Sequence, residues 1–276
     1  MYKTLLVPVD GRSRSARSLE IAGRIAGAWE AHVVGLYVAH TPYVPSSARI
    51  GLGNELVAEY QAKARAEHAA AARARFDAGV KAAGISGAEW RTEEGDLALT
   101  LALHARYADL VVVNQTDPED GSRANFADEV VLALGRPMLI VPYVGEIKTF
   151  AQTILVCWNA TREAARAVTD ALPFLQRAAQ VIVLSVDGDA SPGGHGESPG
   201  SDIALYLARH GVRAEAAVTG SGGLDIGSVI LSRAFDYGAD LIVMGAYGHS
   251  RVREIVLGGA TRSVLKSMTV PVLMSH

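Results

Sequence analysis

The chain has 276 residues, of which 49% are hydrophobic and 20% are charged, and its formal net charge is -3. This composition is that of a globular protein and excludes a disordered chain. The slightly acidic balance gives no general attraction to nucleic acid or to an anionic membrane, so we expect neither as a partner.

Cysteine use and the start of the chain predict a cytoplasmic protein. Cys157 is the single cysteine, which excludes an intramolecular disulfide and a thiolate metal cluster. Pro8 and Asp10 interrupt the first apolar residues too early for a signal peptide. No run approaches the ~18 apolar residues of a membrane-spanning helix. We therefore expect a protein of the reducing cytoplasm.

In chain order, the first half alternates short apolar runs with helical patterns. The predicted strands are Thr4–Val9, His32–Ala39, Ala88–Glu93, Leu110–Val113 and Met138–Val141. The predicted helices are Ser13–Ala28, Asn54–Ala83, Leu97–Tyr107 and Ala127–Leu134. Most of these strands are continuous apolar runs, which are typical of parallel strands covered on both faces. The segment AEWRTE instead alternates apolar and polar residues and indicates a strand at the edge of the sheet.

The second half has the same alternation in a more compact form. Its predicted strands are Thr153–Trp158, Val181–Val186, Arg213–Val218, Leu241–Met244 and Pro271–Met274. Its predicted helices are Arg162–Leu175, Asp202–Arg209, Asp225–Tyr237 and Ala260–Ser267. Strand–helix alternation with crossovers of this length predicts a doubly wound, Rossmann-like α/β sheet in each half.

The two halves also resemble each other residue by residue, in the same order. The matching pairs are TLLVPVD (Thr4–Asp10) with TILVCWN (Thr153–Asn159), YADLVVVN (Tyr107–Asn114) with GADLIVMG (Gly238–Gly245), and RPMLIVPY (Arg136–Tyr143) with VPVLMSH (Val270–His276). A repeat of this length indicates two similar domains. We place them at residues 1–145 and 150–276, joined near the polar stretch GEIKT.

A glycine-rich segment of the second half has the character of an anion site. Gly245 and Gly248 follow a predicted strand, where glycine admits positive φ and close approach of a ligand to the backbone. Gly258 and Gly259 precede a predicted helix, whose first turn presents unpaired N–H groups and the positive end of the helix dipole. Ordinary turns between a strand and a helix would have the same glycines. The spacing alone leaves both interpretations open.

The segment VMGAYGHSRVREIVLGGATRSVLKSMTVPVLMSH resembles the C-terminal signature of the universal stress protein (UspA) family. Nucleotide-binding members carry glycine, two residues, glycine, nine residues, glycine and then Ser or Thr. Gly245, Gly248 and Gly258 fit that spacing. LLVPVDGR and ILVCWNATREAARAV also resemble the family's first-strand segments. The two repeats cover nearly the whole chain, which therefore resembles a tandem universal stress protein.

The resemblance implies five parallel strands and four helices per domain, with ATP, alone or with Mg²⁺, bound in the second domain. Adenine is expected against the first strand and Val186, and the phosphates along Gly248 and Gly258–Thr261. The implied binding residues are Cys157, Asn159, Val186, Met244, Gly245, Tyr247, Gly248, Gly258, Gly259, Ala260 and Thr261.

Two of these positions depart from the family pattern. Gly259 stands where the family has Ser or Thr, which removes a hydroxyl–phosphate hydrogen bond of about 1.5–3 kcal/mol. The neighbouring Thr261 is a candidate replacement. Asn159 stands where the family has Asp, so this position keeps a hydrogen-bonding group without the charge.

The first half retains Asp10 but lacks the glycine pattern. Three acids follow its fourth predicted strand: Asp117, Glu119 and Asp120. Ala124 and Asn125 stand where the second half has Gly258 and Gly259. Acids at this place oppose a polyphosphate by like-charge repulsion, so we predict that the first domain does not bind ATP. It is either a structural partner or a site for another small ligand near Asp10.

Other motifs give no catalytic or metal site. GSGGLDIGS, Gly220–Ser228, is close to the SGGxDS pyrophosphate loop, but Ile226 stands where that loop needs serine. We predict instead a helix N-cap at Asp225. The eight histidines have no metal-ligand spacing, and no Ser/His/Asp set can be assembled from the local context. We therefore predict neither a metal centre nor catalytic residues.

Three functions remain open from the sequence. The leading hypothesis is a stress-response protein that acts as a nucleotide-responsive binding module. The alternatives are a hydrolase or transferase that uses the same crevice, and a scaffold that has lost nucleotide binding. In the family, single domains pair through their last strands. Here those strands would pair within one chain, giving a monomer that mimics a dimer, and such chains could form a further homodimer.

Overall fold

The structure is a computed structural model that describes residues 1–10, 15–39, 54–116, 126–187, 200–247 and 259–276. The chain divides into two compact units, Tyr2–Asn114 and Gln115–His276, the second of which includes Met1. Within the described residues, no helix combines the length and the apolar character needed to cross a membrane.

The unit Tyr2–Asn114 contains parallel strands in the order β3-β2-β1-β4. Its strands are β1 (Thr4–Pro8), β2 (His32–Ala39), β3 (Ala88–Glu94) and β4 (Leu110–Asn114). Its helices are α1 (Ser15–Trp29), α2 (Asn54–Ala82) and α3 (Leu97–Ala105). Strand β3 is an edge strand of this unit, as its alternating pattern indicated. Helix α2 is followed by Gly84 in the left-handed region, at φ 63°.

The unit Gln115–His276 contains strands in the order β5-β10-β9-β6-β7-β8. They are β5 (Met138–Val141), β6 (Thr153–Cys157), β7 (Gln180–Val186), β8 (Ala214–Thr219), β9 (Leu241–Gly245) and β10 (Val272–Ser275). The helices are α4 (Phe126–Ala133), α5 (Arg162–Leu175), α6 (Ser201–Arg209), α7 (Ile226–Asp236) and α8 (Gly259–Ser267). Neighbouring strands are parallel, except that β5 runs antiparallel to β10 with Ile140 opposite Val272.

The α/β class with a mostly parallel sheet is confirmed, and the predicted helix and strand boundaries lie within two residues of those observed. Helix α5 shows why the local pattern was sufficient. Ala164, Ala167, Ala171 and Phe174 recur at helical spacing and are all buried, which places one apolar face against the sheet. Thr161 caps the helix by accepting a hydrogen bond from the N–H of Ala164 at 3.3 Å.

Candidate functional site

Strands β9, β6 and β7 of the second unit are parallel neighbours, so their carboxyl ends lie side by side. Ile154 of β6 is paired with Leu241 of β9 on one side and with Val181 of β7 on the other. The strand order therefore reverses at β6, and ligands of open α/β sheets bind at the carboxyl ends of the strands at such a reversal. The structure places Cys157, Val186, Met244 and Gly245 at these strand ends.

The turn after β6 is organised by Asn159. Its Oδ1 accepts hydrogen bonds from the hydroxyl of Thr161 at 2.9 Å and from the N–H of Thr161 at 3.3 Å. Ala160, between them, adopts φ 55°, a conformation that costs a non-glycine residue of the order of 1 kcal/mol. The amide oxygen of Asn159 is thus used within the turn.

The structure requires glycine at position 245 for a reason other than the positive φ and close ligand approach that we expected. It lies outside the left-handed region, and what comes close to it is the first turn of α5. A Cβ at this position would lie 2.5 Å from the nitrogen of Ala164 and 2.9 Å from the Cβ of Glu163. The glycine is therefore needed for contact between strand and helix, whatever it does toward a ligand.

Tyr247 and Thr261 join the end of β9 to the first turn of α8. The backbone N–H of Tyr247, at φ 56°, donates to Oγ1 of Thr261 at 3.4 Å. Thr261 is only 4% exposed. Its hydroxyl thus stabilises the turn, and it is not presented to solvent as a replacement for the missing family hydroxyl. Gly248 and Gly258 lie outside the described residues.

The N-terminus of α8 is exposed at Gly259, and the next residue, Ala260, packs against α7. Gly259 is exposed and Ala260 is partly exposed. A Cβ on Gly227, in the first turn of α7, would lie 2.7 Å from the carbonyl oxygen of Ala260. Asp225 caps α7 by accepting from the N–H of Ser228 at 2.9 Å, which confirms the N-cap predicted for this segment.

Glu163 is a buried acid of this region that the sequence analysis missed. Its side chain is 4% exposed and is paired with Nε of the exposed Arg162. Burial alone would raise the pKa of this carboxyl. Hydrogen bonds from Arg162, from its own backbone N–H and from Thr161, together with the charge of Arg162, hold the pKa below its ordinary value. A glutamate in the first turn of a helix is usually a surface residue, so the sequence carried no signal for its burial.

Cys157 offers no reactive thiolate at the end of β6. Burial raises the pKa of its thiol to about 12, although the residue as a whole retains partial exposure. The thiol is therefore neutral at physiological pH and acts as a small apolar group. No group of three or more His, Cys, Asp or Glu residues that could hold a metal ion occurs in the part of the chain that the structure describes.

A pocket of about 330 Å³ lies at the amino-terminal ends of strands β9 and β10. Asp240 and Pro271, which precede β9 and β10, line it together with Lys148 and Phe235. None of the predicted binding residues contributes to this pocket, so it is separate from the carboxyl strand ends.

The first unit has a polar arrangement at the corresponding strand ends. Oδ1 of Asp10 accepts from the hydroxyl of Ser15 at 2.7 Å, and Nδ2 of Asn114 donates to the hydroxyl of Ser18 at 3.1 Å. Burial and then the charge of Asp10 raise the pKa of Tyr37, on the neighbouring strand β2. The acids at 117, 119 and 120 and the residues Ala124 and Asn125, used above to distinguish the two repeats, lie outside the described residues.

Comparison with known proteins identifies the family. The model of the universal stress protein family matches the chain twice, at residues 1–142 and 151–276. The chain belongs to the universal stress protein family. The two matches agree with a tandem arrangement of universal stress domains, as the sequence resemblance implied.

Individual universal stress proteins are similar to the chain over different extents. Universal stress protein Slr1230 of Synechocystis is 50% identical over 38 residues, which is 14% of this chain and 13% of that protein. Universal stress protein MJ0577 of Methanocaldococcus jannaschii is 42% identical over 45 residues, 16% of this chain and 28% of that protein. The matched segments thus span a small part of these curated relatives.

A solved universal stress protein from Archaeoglobus fulgidus matches along almost the whole chain. It aligns with 99% of this chain and 95% of its own, with a TM-score of 0.76 and 16% sequence identity. At this identity the similarity establishes the fold alone.

Proposed function

We propose that the chain is a cytoplasmic, nucleotide-responsive binding module that holds ATP, or a related adenine nucleotide, in its second universal stress domain. The observation that carries the proposal is the hydrogen bond between Tyr247 and Thr261. It brings the N-terminus of α8 to the end of β9, beside the reversal of strand order at β6. A helix end of the kind that favours anions thus lies near the strand ends at which ligands of open α/β sheets bind, which supports the proposal.

The chemistry of the residues present supports an adenine nucleotide. Val186, at the end of β7, is a partly exposed apolar residue, and Asn159 supplies an amide donor. Gly259 is exposed at the first turn of α8, and a Cβ added there would make an ordinary van der Waals contact with Oδ1 of Asp225, at 3.7 Å. Phosphate oxygens would accept from the backbone N–H groups of Gly259 and Ala260, which the helix itself cannot pair.

The first domain, residues 1–145, is proposed as a structural partner of the second, residues 150–276. Asn114 stands at the strand end where the second domain has Gly245, and it is hydrogen-bonded to Ser18. We further propose that the antiparallel pairing of β5 with β10 joins the two repeats within one chain. Such a chain would mimic a dimer of single domains, and two chains could associate further.

The alternative, a nucleotide hydrolase that uses the same crevice, has a weaker chemical basis. Glu163 is a buried acid that packs against Gly245 at the end of β9, and its pKa lies below the ordinary value. An effective general base has a pKa near the working pH, so this carboxylate is a poor one. Binding without rapid turnover therefore fits the region better.

Thermal unfolding with ATP, ADP, AMP and cyclic AMP, each with and without Mg²⁺, tests the proposal, with product analysis of every sample. A ligand at a hundredfold its Kd stabilises the folded protein by about 2.7 kcal/mol. We expect such a shift for at least one adenine nucleotide, with little product formed. Rapid turnover would support the hydrolase instead, and no shift from any nucleotide would support the ligand-free scaffold.

A matched pair of variants at Gly259 locates the binding. Gly259→Asp adds a negative charge at the open end of α8, whereas Gly259→Asn adds a neutral side chain of the same size. We expect the nucleotide shift to be lost in the first and largely retained in the second. A shift that survives Gly259→Asp but is lost in Asp10→Asn would place the nucleotide in the first domain.

A further inference from the structure

Asp225 holds a carboxylate beside the N-terminus of α8. It is the N-cap of α7, and its Oδ2 accepts from the N–H of Ser228 at 2.9 Å. The hydroxyl of Ser263, on α8, also donates to this carboxyl. A Cβ on Gly259, the first residue of α8, would lie 3.7 Å from Oδ1 of Asp225. One carboxylate therefore serves the N-terminal turns of two helices.

Close packing keeps this carboxylate in place. A Cβ on Gly227 would lie 2.6 Å from the Cβ of Ser263 and 2.7 Å from the carbonyl oxygen of Ala260. The first turns of α7 and α8 are thus in direct contact. Asp225, two residues before Gly227, cannot move away from α8 without breaking its cap on α7.

The carboxylate is negatively charged at neutral pH. The side chain of Asp225 is exposed. Its remaining desolvation acts to raise the pKa of the carboxyl, but hydrogen bonds from Ser228, Ser263 and Gly227 hold the pKa below the ordinary value. Part of the favourable field at the helix N-terminus is therefore already used by a protein charge, and an incoming phosphate meets a neighbour of the same sign.

We propose that Asp225 sets the charge preference of the nucleotide site, so that adenine nucleotides with fewer phosphates bind more tightly than metal-free ATP. This inference rests on the proposed function. A phosphate chain on the amides of Gly259 and Ala260 runs within one helical turn of Asp225. At about 7 Å in the high dielectric around the exposed Asp225 carboxylate, the two charges that ATP carries beyond AMP together lower affinity by about tenfold. Mg²⁺ on the phosphates offsets this repulsion.

Calorimetric titration with AMP, ADP and ATP, in low salt and without divalent cations, measures the preference directly. The wild-type protein is expected to bind AMP about tenfold more tightly than ATP. Asp225→Asn and Asp225→Ser remove the charge and keep a good helix N-cap. In both variants we expect ATP affinity to rise about tenfold and AMP affinity to change much less.

Two further comparisons separate charge from folding. Salt screens exposed charges. Added salt should therefore reduce the difference between AMP and ATP affinity in the wild type, and it should leave that difference unchanged in the two Asp225 variants. Asp236→Asn, at the other end of α7, removes an exposed acid paired with Arg233 and should leave the wild-type preference intact.

Three outcomes would overturn the inference. An unchanged ratio of ATP to AMP affinity in both Asp225 variants would show that this charge has no role. Weaker binding of Mg²⁺–ATP in the variants would make Asp225 a metal ligand, the opposite role. Absence of nucleotide binding by the wild type and all variants would refute the proposed function itself, which the first two outcomes leave standing.

Discussion

Asn114 and Gly245 occupy the same position in the two repeats, at the ends of β4 and β9. Both strands pair in the same register with the first strand of their repeat, Leu110 with Leu5 and Leu241 with Ile154. Asn114 donates a hydrogen bond from its side chain to Ser18 of α1. At Gly245 the missing side chain instead lets the main chain of α5 come close to the strand end. The repeats thus differ in how the strand end meets the helix that follows the first strand.

Replacement of Gly245 by alanine is expected to destabilise the protein by at least about 1–3 kcal/mol, the usual cost of overpacking. The added Cβ would meet the nitrogen of Ala164 at 2.5 Å, and a main-chain atom cannot be relieved by a rotamer change. Urea unfolding measures the loss. Gly220→Ala is the matched control, because its nearest atom lies 3.9 Å away. Equal stability of the two variants would contradict the close contact at Gly245.

Introduction of serine at Gly259 is expected to tighten nucleotide binding by about tenfold or more, the value of one hydrogen bond to a charged group. The position is open and its backbone lies outside the left-handed region, so a side chain can be added without strain. Calorimetric titration with AMP and ATP measures the gain. Gly259→Ala adds the same Cβ without the hydroxyl and should show none. If alanine and serine behave alike, the hydroxyl does not reach a phosphate.

The stability of the protein is expected to fall as the pH is lowered, in part because of Glu163. The folded-state pKa of this carboxyl lies below its ordinary value, which is about 4.3 in an unfolded chain. The stabilisation that ionised Glu163 contributes is therefore complete at pH values above the pKa of the unfolded state. It is lost as the pH falls through the lower pKa of the folded state. Urea unfolding between neutral and acidic pH should show a flatter profile for Glu163→Gln.

The control for this profile is Glu146→Gln, which removes an acid whose side chain is 80% exposed. Its pH dependence should match that of the wild-type protein. A steep profile that persists unchanged in Glu163→Gln would assign the acid sensitivity to other carboxyls.

Gln115 is expected to be an important buried polar residue of the second unit. It is 3% exposed. Its Nε2 donates to the carbonyl oxygen of Leu265 at 2.8 Å, and its Oε1 accepts from the N–H of Tyr143 at 3.1 Å. Gln115→Leu leaves both main-chain groups without this partner, so we expect a loss of about 2–4 kcal/mol in urea unfolding.

Gln176→Leu is the corresponding exposed change, since the side chain of Gln176 also donates to a carbonyl oxygen, that of His210, at 3.0 Å. Water can replace an exposed hydrogen bond, so this loss should stay below about 1 kcal/mol. A Gln115 variant no less stable than the Gln176 variant would mean that the buried hydrogen bonds contribute little.

The sequence alone determined the helices and strands and the α/β class, because both follow from local patterns. Continuous apolar runs such as LIVM specify buried parallel strands, and the spacing of Ala164, Ala167 and Ala171 specifies one face of a helix. The N-cap at Asp225 was also predictable, since a cap joins residues three positions apart. Family membership followed from the same local segments and was confirmed by the family match.

Only the tertiary structure decided what surrounds the candidate site. Gly245 meets Glu163 and Ala164, and Asp225 lies beside Gly259, through contacts between residues that are far apart in the chain. Such contacts depend on which helix packs on which strand end and at what distance, and no local pattern encodes this. The sequence indicated glycines suited to a phosphate, whereas the fold showed that one of them is required by a helix and that another has a carboxylate for a neighbour.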